Sequence, residues 1–165
     1  MQHVQTRSTT SALVLTAVLI ALATLFTMYT KIPVPGIRGY FNVGDVVIMT
    51  SALLLGRKYG AYIGAIGPAL ADLFLGYAVF VPITFVVKGI EGYLVGTVYN
   101  NKTTTSALVA TIVGGFVIVA GYFIAEYFVF DPGVAIASIL TNTIQAVMSV
   151  IVSMILYAIL RKRLG

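Results

Sequence analysis

Lys88 and Glu91 stand three residues apart in the stretch PITFVVKGIEGYLVG, residues 82–96, where almost every other side chain is apolar or small. On a helix that spacing puts both side chains on one face, close enough to touch. Ionisable groups are costly in such surroundings, which makes the pair a candidate functional site. A second polar pair, Asn142 and Gln145, has the same spacing inside another apolar run. Acidic groups recur near the ends of further runs, at Asp45, Asp72 and Glu126, and Asn42 precedes Asp45. Amide, ammonium and carboxylate groups gathered from several helices can hydrogen-bond a polar guest, so binding is the chemistry this set points to.

The elements that must position these groups are membrane helices. The chain has 165 residues, 59% hydrophobic and 9% charged, with mean hydropathy +1.03. Soluble domains average about 25% charged residues. Six apolar runs are read at 12–30, 41–56, 59–76, 79–99, 106–130 and 134–160. Six spans of roughly 20 residues take about 120 positions and leave no room for a soluble catalytic domain. The expected fold is an all-α integral membrane bundle, a single transmembrane domain of six helices. The second run is short, near the length of a re-entrant piece. Ala21-Leu22-Ala23 has the form of a signal-peptide cleavage site, but the first run continues past it.

Charge placement sets the orientation. With six spans and both termini cytoplasmic, the inner segments hold Arg7, Arg57, Lys58, Lys102, Arg161, Lys162 and Arg163, and the outer loops hold Lys31 and Arg38. That imbalance follows the positive-inside rule, so the net charge of +5 needs no nucleic acid partner. Asn42, Asp72, Lys88, Glu91, Glu126, Asn142 and Gln145 then fall in the outer half of the bundle or near its middle. The inner half is almost purely apolar. This is the pattern of a pocket open to the outside rather than of a continuous pore.

A plainer account stands beside each residue. Lys88 and Glu91 can neutralise each other, although a buried pair is at best break-even for stability. Asp45 reads first as a helix N-cap or a first-turn charge favoured by the helix dipole. Asn142 and Gln145 can be interhelical glue. Gly60 with Gly64, and Gly92 with Gly96, read as close helix packing, while Ala17 and Ala21 offer a smooth face for internal packing or for a partner. Most of Tyr77, Phe80, Tyr122 and Tyr127 fit an interfacial belt, and one or two can stack on a flat ring if the ligand has one.

Several activities are excluded by missing parts. No GxxxxGK[ST] phosphate loop is present. The chain has no cysteine and one histidine, His3, so no metal-ligand cluster and no Ser–His–acid set is expected. Neither enzymatic activity nor a cofactor is expected.

The strings FNVGDVVIMTSALLLGRKYGAYIGAIGPALADLFLGY and PITFVVKGIEGYLVG, within residues 41–96, closely resemble the substrate-binding S components of energy-coupling factor (ECF) vitamin transporters. The nearest likeness is to the riboflavin, hydroxymethylpyrimidine and pyridoxine group. The segments around Asp72 and Lys88-Gly89-x-Glu91-Gly92 are the specific ones. The resemblance implies a six-helix vitamin-capture protein that works with a transmembrane coupling protein, EcfT, and two cytoplasmic ATPases. It implies that an AxxxA pattern on the first helix, matched by Ala17 and Ala21, meets the coupling protein. It also implies that the first outer loop, residues 31–41, closes over the vitamin, and that the whole S component topples in the bilayer to deliver it. The acidic surplus of Asp72, Glu91 and Glu126 over Lys88 suits a neutral or weakly cationic ring. Hydroxymethylpyrimidine or pyridoxine fits that charge, riboflavin follows, and the dianion folate fits poorly. The rival from another class is a self-sufficient proton-coupled carrier using Lys88, Glu91 and Glu126.

Overall fold

The structure, a computed structural model, describes residues 9–33, 40–99 and 103–164. It contains six helices: α1 (Thr9–Tyr29), α2 (Asp45–Leu55), α3 (Arg57–Phe74), α4 (Phe80–Val98), α5 (Thr104–Val129) and α6 (Pro132–Leu164). Between α1 and α2 lies an antiparallel pair of two-residue strands, β1 (Ile32–Pro33) and β2 (Tyr40–Phe41), with Ile32 opposite Phe41 and Pro33 opposite Tyr40. Apart from this clasp the described fold is all-helical. Residues 34–39 in the middle of the first loop, and Arg7, Arg38 and Lys102, lie outside the described residues.

Four helices, α1, α4, α5 and α6, are long and apolar enough to cross a membrane. The other two differ from them. At 11 residues α2 is about 16 Å long, roughly half of a hydrocarbon core. Every residue from Asp45 to Leu53 is buried, so α2 is surrounded by protein. The 18 residues of α3 are rich in Gly and Ala and bury Gly60, Gly64, Ala65, Gly67 and Ala71. A single residue, Gly56, joins α2 to α3 at φ +91°, a conformation that side-chain-bearing residues rarely adopt.

The bundle is apolar outside and mixed within, with apolar clusters and buried polar groups side by side. Ile136, Leu140, Ile144, Val147 and Ile151 on α6 are exposed, whereas Ser138, Gln145, Ser149, Ser153 and Tyr157 on its other face are buried. Lipid is as apolar as leucine, so helices here associate through close packing and polar contacts rather than hydrophobic exclusion. The contacts match that logic. Thr24 Oγ1 on α1 donates to the Gly67 carbonyl on α3 at 2.9 Å, beside Ala23, which is completely buried. The expected glycine pairs do bring helices together: a Cβ on Gly92 would lie 2.1 Å from the Gly60 carbonyl oxygen. At the end of the bundle that carries Arg57 and Arg161, Tyr99 and Tyr157 share a hydroxyl–hydroxyl hydrogen bond and stack edge to face at 5.6 Å, joining the end of α4 to α6.

Candidate functional site

A cavity of about 40 Å³ opens at the opposite end, where α1, α3 and α5 finish and α2, α4 and α6 begin. Thr27 comes to it from α1, Asn42 from the entry to α2, and Pro68 and Asp72 from α3. Phe80, Thr84 and Lys88 come from α4, Tyr122 and Glu126 from α5, and Ser138, Thr141, Asn142 and Gln145 from α6. Six of the seven residues expected to contact a ligand therefore converge: Asn42, Asp72, Lys88, Glu126, Asn142 and Gln145. Glu91 is outside the lining and stands one turn deeper, behind Lys88.

Lys88 is the centre of the arrangement. It is 1% exposed, and Asp45 and Glu91 are both 0% exposed. Lys88 Nζ donates to Asp45 Oδ1 and lies 3.5 Å from Glu91 Oε2. The reading of Asp45 as a first-turn charge holds for its place, the N-cap being Gly44, but leaves out its partners. Asp45 does sit in the first turn of α2, but its side chain caps nothing. Its second oxygen, Oδ2, accepts from Gln145 Nε2 at 2.7 Å. The ion pair that matters thus runs between helices, Lys88 to Asp45, with Glu91 as a second, longer-range partner. Asp45 itself is completely buried. A buried carboxylate in that position needs a cation and hydrogen-bond donors, and α4 and α6 supply them.

The walls carry further polar groups. Ser138 Oγ donates to Glu126 Oε2 across the α5–α6 turn. The hydroxyls of Thr84 and Tyr122 are 2.9 Å apart, and Lys88 Nζ lies 5.4 Å from the centre of the Tyr122 ring, in cation–π range. Asn142 Nδ2 and Thr27 Oγ1 are buried and have no hydrogen-bond partner among the described residues. Both residues line the cavity. The combination offers carboxylates, an amide donor and an aromatic face, a set suited to binding a polar ring. Thr27, Thr84, Tyr122 and Ser138 were not singled out as site residues from sequence, Tyr122 having been read as a belt residue. Hydroxyls are common in membrane helices and carry little penalty there, so no single one stands out.

Tyr122→Phe is expected to keep the ring over Lys88 while removing the bond to Thr84. Thermal unfolding in detergent should show a loss of about 1 kcal/mol. Tyr122→Leu, which removes the ring as well, should cost more.

A family model for the ECF-type riboflavin transporter S component matches residues 7–162. This chain belongs to that family. The S component is 41% identical over 145 residues to an uncharacterized protein of Pyrococcus woesei, covering 86% of this chain and 96% of the relative. It is 30% identical over 149 residues to the thiamine precursor transporter HmpT of Lactococcus lactis subsp. cremoris, covering 89% of this chain and 83% of the relative. Among solved structures, the S component of a bacterial ECF transporter superposes with TM-score 0.77 at 21% identity, over 94% of this chain and 98% of that one. The biotin S component of an ECF-type ABC transporter gives 0.59 at 20% identity, over 91% and 94%. The likeness to these structures is one of fold. The family is one of membrane-embedded vitamin-uptake components rather than enzymes.

Proposed function

We propose that this S component captures a small single-ring vitamin or vitamin precursor from outside the cell for an ATP-driven ECF importer. Hydroxymethylpyrimidine is the first candidate, pyridoxine the second and riboflavin the third. The observation that carries this reading is the convergence of Asp72, Lys88, Glu126 and Asn142 on one cavity. The charge of Lys88 is already met by Asp45 and Glu91. What remains for a ligand is mainly acidic and amide-like, which favours a neutral or weakly basic ring with N–H or O–H donors. Size points the same way. The cavity, at about 40 Å³, is far below the roughly 300–1,000 Å³ of most ligand pockets. A single six-membered ring asks for less expansion than a tricyclic flavin with its ribityl tail. The relation to HmpT, a thiamine precursor transporter, supports the same choice.

Titration of the purified protein with the three compounds is expected to give tight binding to hydroxymethylpyrimidine and at least tenfold weaker binding to riboflavin, each factor of ten being about 1.4 kcal/mol. Riboflavin binding as tight as that of the pyrimidine would overturn the ranking. Absence of binding by all three would overturn the reading itself.

The cavity end faces outward in this proposal, and the end with Arg57, Lys58 and Arg161–Arg163 faces the cytoplasm, following the positive-inside rule. The expected partners are the coupling protein EcfT and two ATPases. Ala17 and Ala21 are both exposed on α1, where a partner helix can reach them. The chain has no cysteine, so single cysteines report topology directly. In intact cells Ala78→Cys should react with an impermeant maleimide and Lys58→Cys should not. The reverse pattern would invert the orientation.

A further inference from the structure

Gln145 lines the cavity, yet both ends of its amide are already bonded inside the protein. Its Oε1 accepts the Asn42 backbone N–H at 3.0 Å, and its Nε2 donates to Asp45 Oδ2 at 2.7 Å. Asn42 turns its own Oδ1 onto the Gly44 N–H at 2.8 Å, and the Val43 N–H donates to Thr30 Oγ1 at 3.0 Å. The three residues that lead from β2 into α2 are therefore held by Thr30, just past the end of α1, on one side and by α6 on the other. On the α6 side the holding group is Gln145.

We propose that Gln145 is a positioning residue. It fixes the entry of α2 and aims Asp45 at Lys88, and so sets how Lys88 meets the ligand, without reading the ligand itself. This rests on the binding role proposed above. The chemistry calls for an amide, because one end must accept from a backbone N–H while the other donates to a carboxylate. Glutamate would set a second carboxylate against Asp45, and lysine could not accept from Asn42. The contrast with Asn142 strengthens the assignment. Asn142 is three residues earlier on the same face, and its buried Nδ2 has no partner among the described residues. The helix thus carries one amide for the guest and one for the frame.

A double-mutant cycle on hydroxymethylpyrimidine affinity separates positioning from contact. Gln145→Met is expected to weaken binding about tenfold to a hundredfold, the range for hydrogen bonds to charged groups. Added to Asp45→Asn, it should weaken binding little further. Added to Asn142→Ala, its loss should multiply. Multiplication with Asp45→Asn and none with Asn142→Ala would overturn the proposal. A ligand-free readout keeps it testable even if this pyrimidine is the wrong vitamin. Amide hydrogen exchange at Asn42 should speed about tenfold in Gln145→Met and stay unchanged in Asn142→Ala; equal rates in the two would overturn it. Should Gln145→Met fail to fold, Gln145→Glu with Asp45→Asn serves instead. That pair keeps every bond, with donor and acceptor exchanged between the two side chains, and should retain wild-type protection at Asn42. Loss of protection there would mean the connectivity is not what matters.

Discussion

Lys88→Met is expected to abolish vitamin binding and to cost more stability than any other single change in the cavity. Lys88 is flanked by Asp45 and Glu91, and all three are at most 1% exposed. Removing the cation leaves two carboxylates facing each other without water. Breaking a buried ion pair from one side costs about 3–5 kcal/mol, a large share of the roughly 5–15 kcal/mol that holds a typical domain together. The loss should appear as a fall in thermal unfolding temperature in detergent, together with loss of binding. Neutralising the whole cluster separates the two effects. Lys88→Met with Asp45→Asn and Glu91→Gln removes all three charges of this cluster, and replacing a complete buried cluster is often close to neutral. The triple variant should therefore regain stability and still fail to bind. If the single variant melts like the wild type, Lys88 is not what holds these carboxylates.

The charged and amide groups of the cavity were legible because the membrane makes polar groups expensive. Lys88, Asp72, Glu126, Asn142 and Gln145 each interrupt an apolar run, and their distance from turns such as Asp131-Pro132-Gly133 gives their depth. Depth alone was enough to predict that they would gather at one end. Direction around the helix axis was not available from the sequence. The i, i+3 spacing correctly put Glu91 beside Lys88, but it could not tell that Glu91 stands behind Lys88 rather than in the lining. The partners of Asp45 were hidden for a related reason. Its partners Lys88 and Gln145 are 43 and 100 residues away, and nothing local distinguishes it from a first-turn charge. One signal was available: a run as short as residues 45–55 must be wrapped by protein, so a carboxylate at its start is not free to reach water. The strand pair at Ile32–Pro33 and Tyr40–Phe41 was also missed, since two residues per strand leave no period to read.

The second large effect is expected from one methyl group. α3 and α4 meet backbone to backbone along Gly60 and Gly64 on one side and Lys88, Gly92 and Gly96 on the other. A Cβ at Gly92 would fall 2.1 Å from the Gly60 carbonyl oxygen, and one at Gly64 would fall 2.1 Å from the Lys88 carbonyl oxygen. The obstacle in each case is main chain, which has no rotamer to yield, so the helices must part. Overpacking a core costs about 1–3 kcal/mol, and Gly92→Ala should reach the top of that range. Gly89→Ala is the control on the same helix, because its Cβ would come closest to the Ala65 methyl, at 3.2 Å, with main-chain atoms of Ala65 and Ala61 no nearer than 3.7 Å, and should cost about 1 kcal/mol or less. Gly92 is one turn from Lys88, so spreading the helices at Gly92 also draws the ammonium away from Asp45. Gly92→Ala should therefore lose ligand affinity as well as stability, although Gly92 is absent from the cavity lining. Wild-type affinity in a destabilised Gly92→Ala protein would show that the glycine contact and the ion pair are independent. The expected joint loss would show that Lys88 is aimed by how closely the two backbones approach.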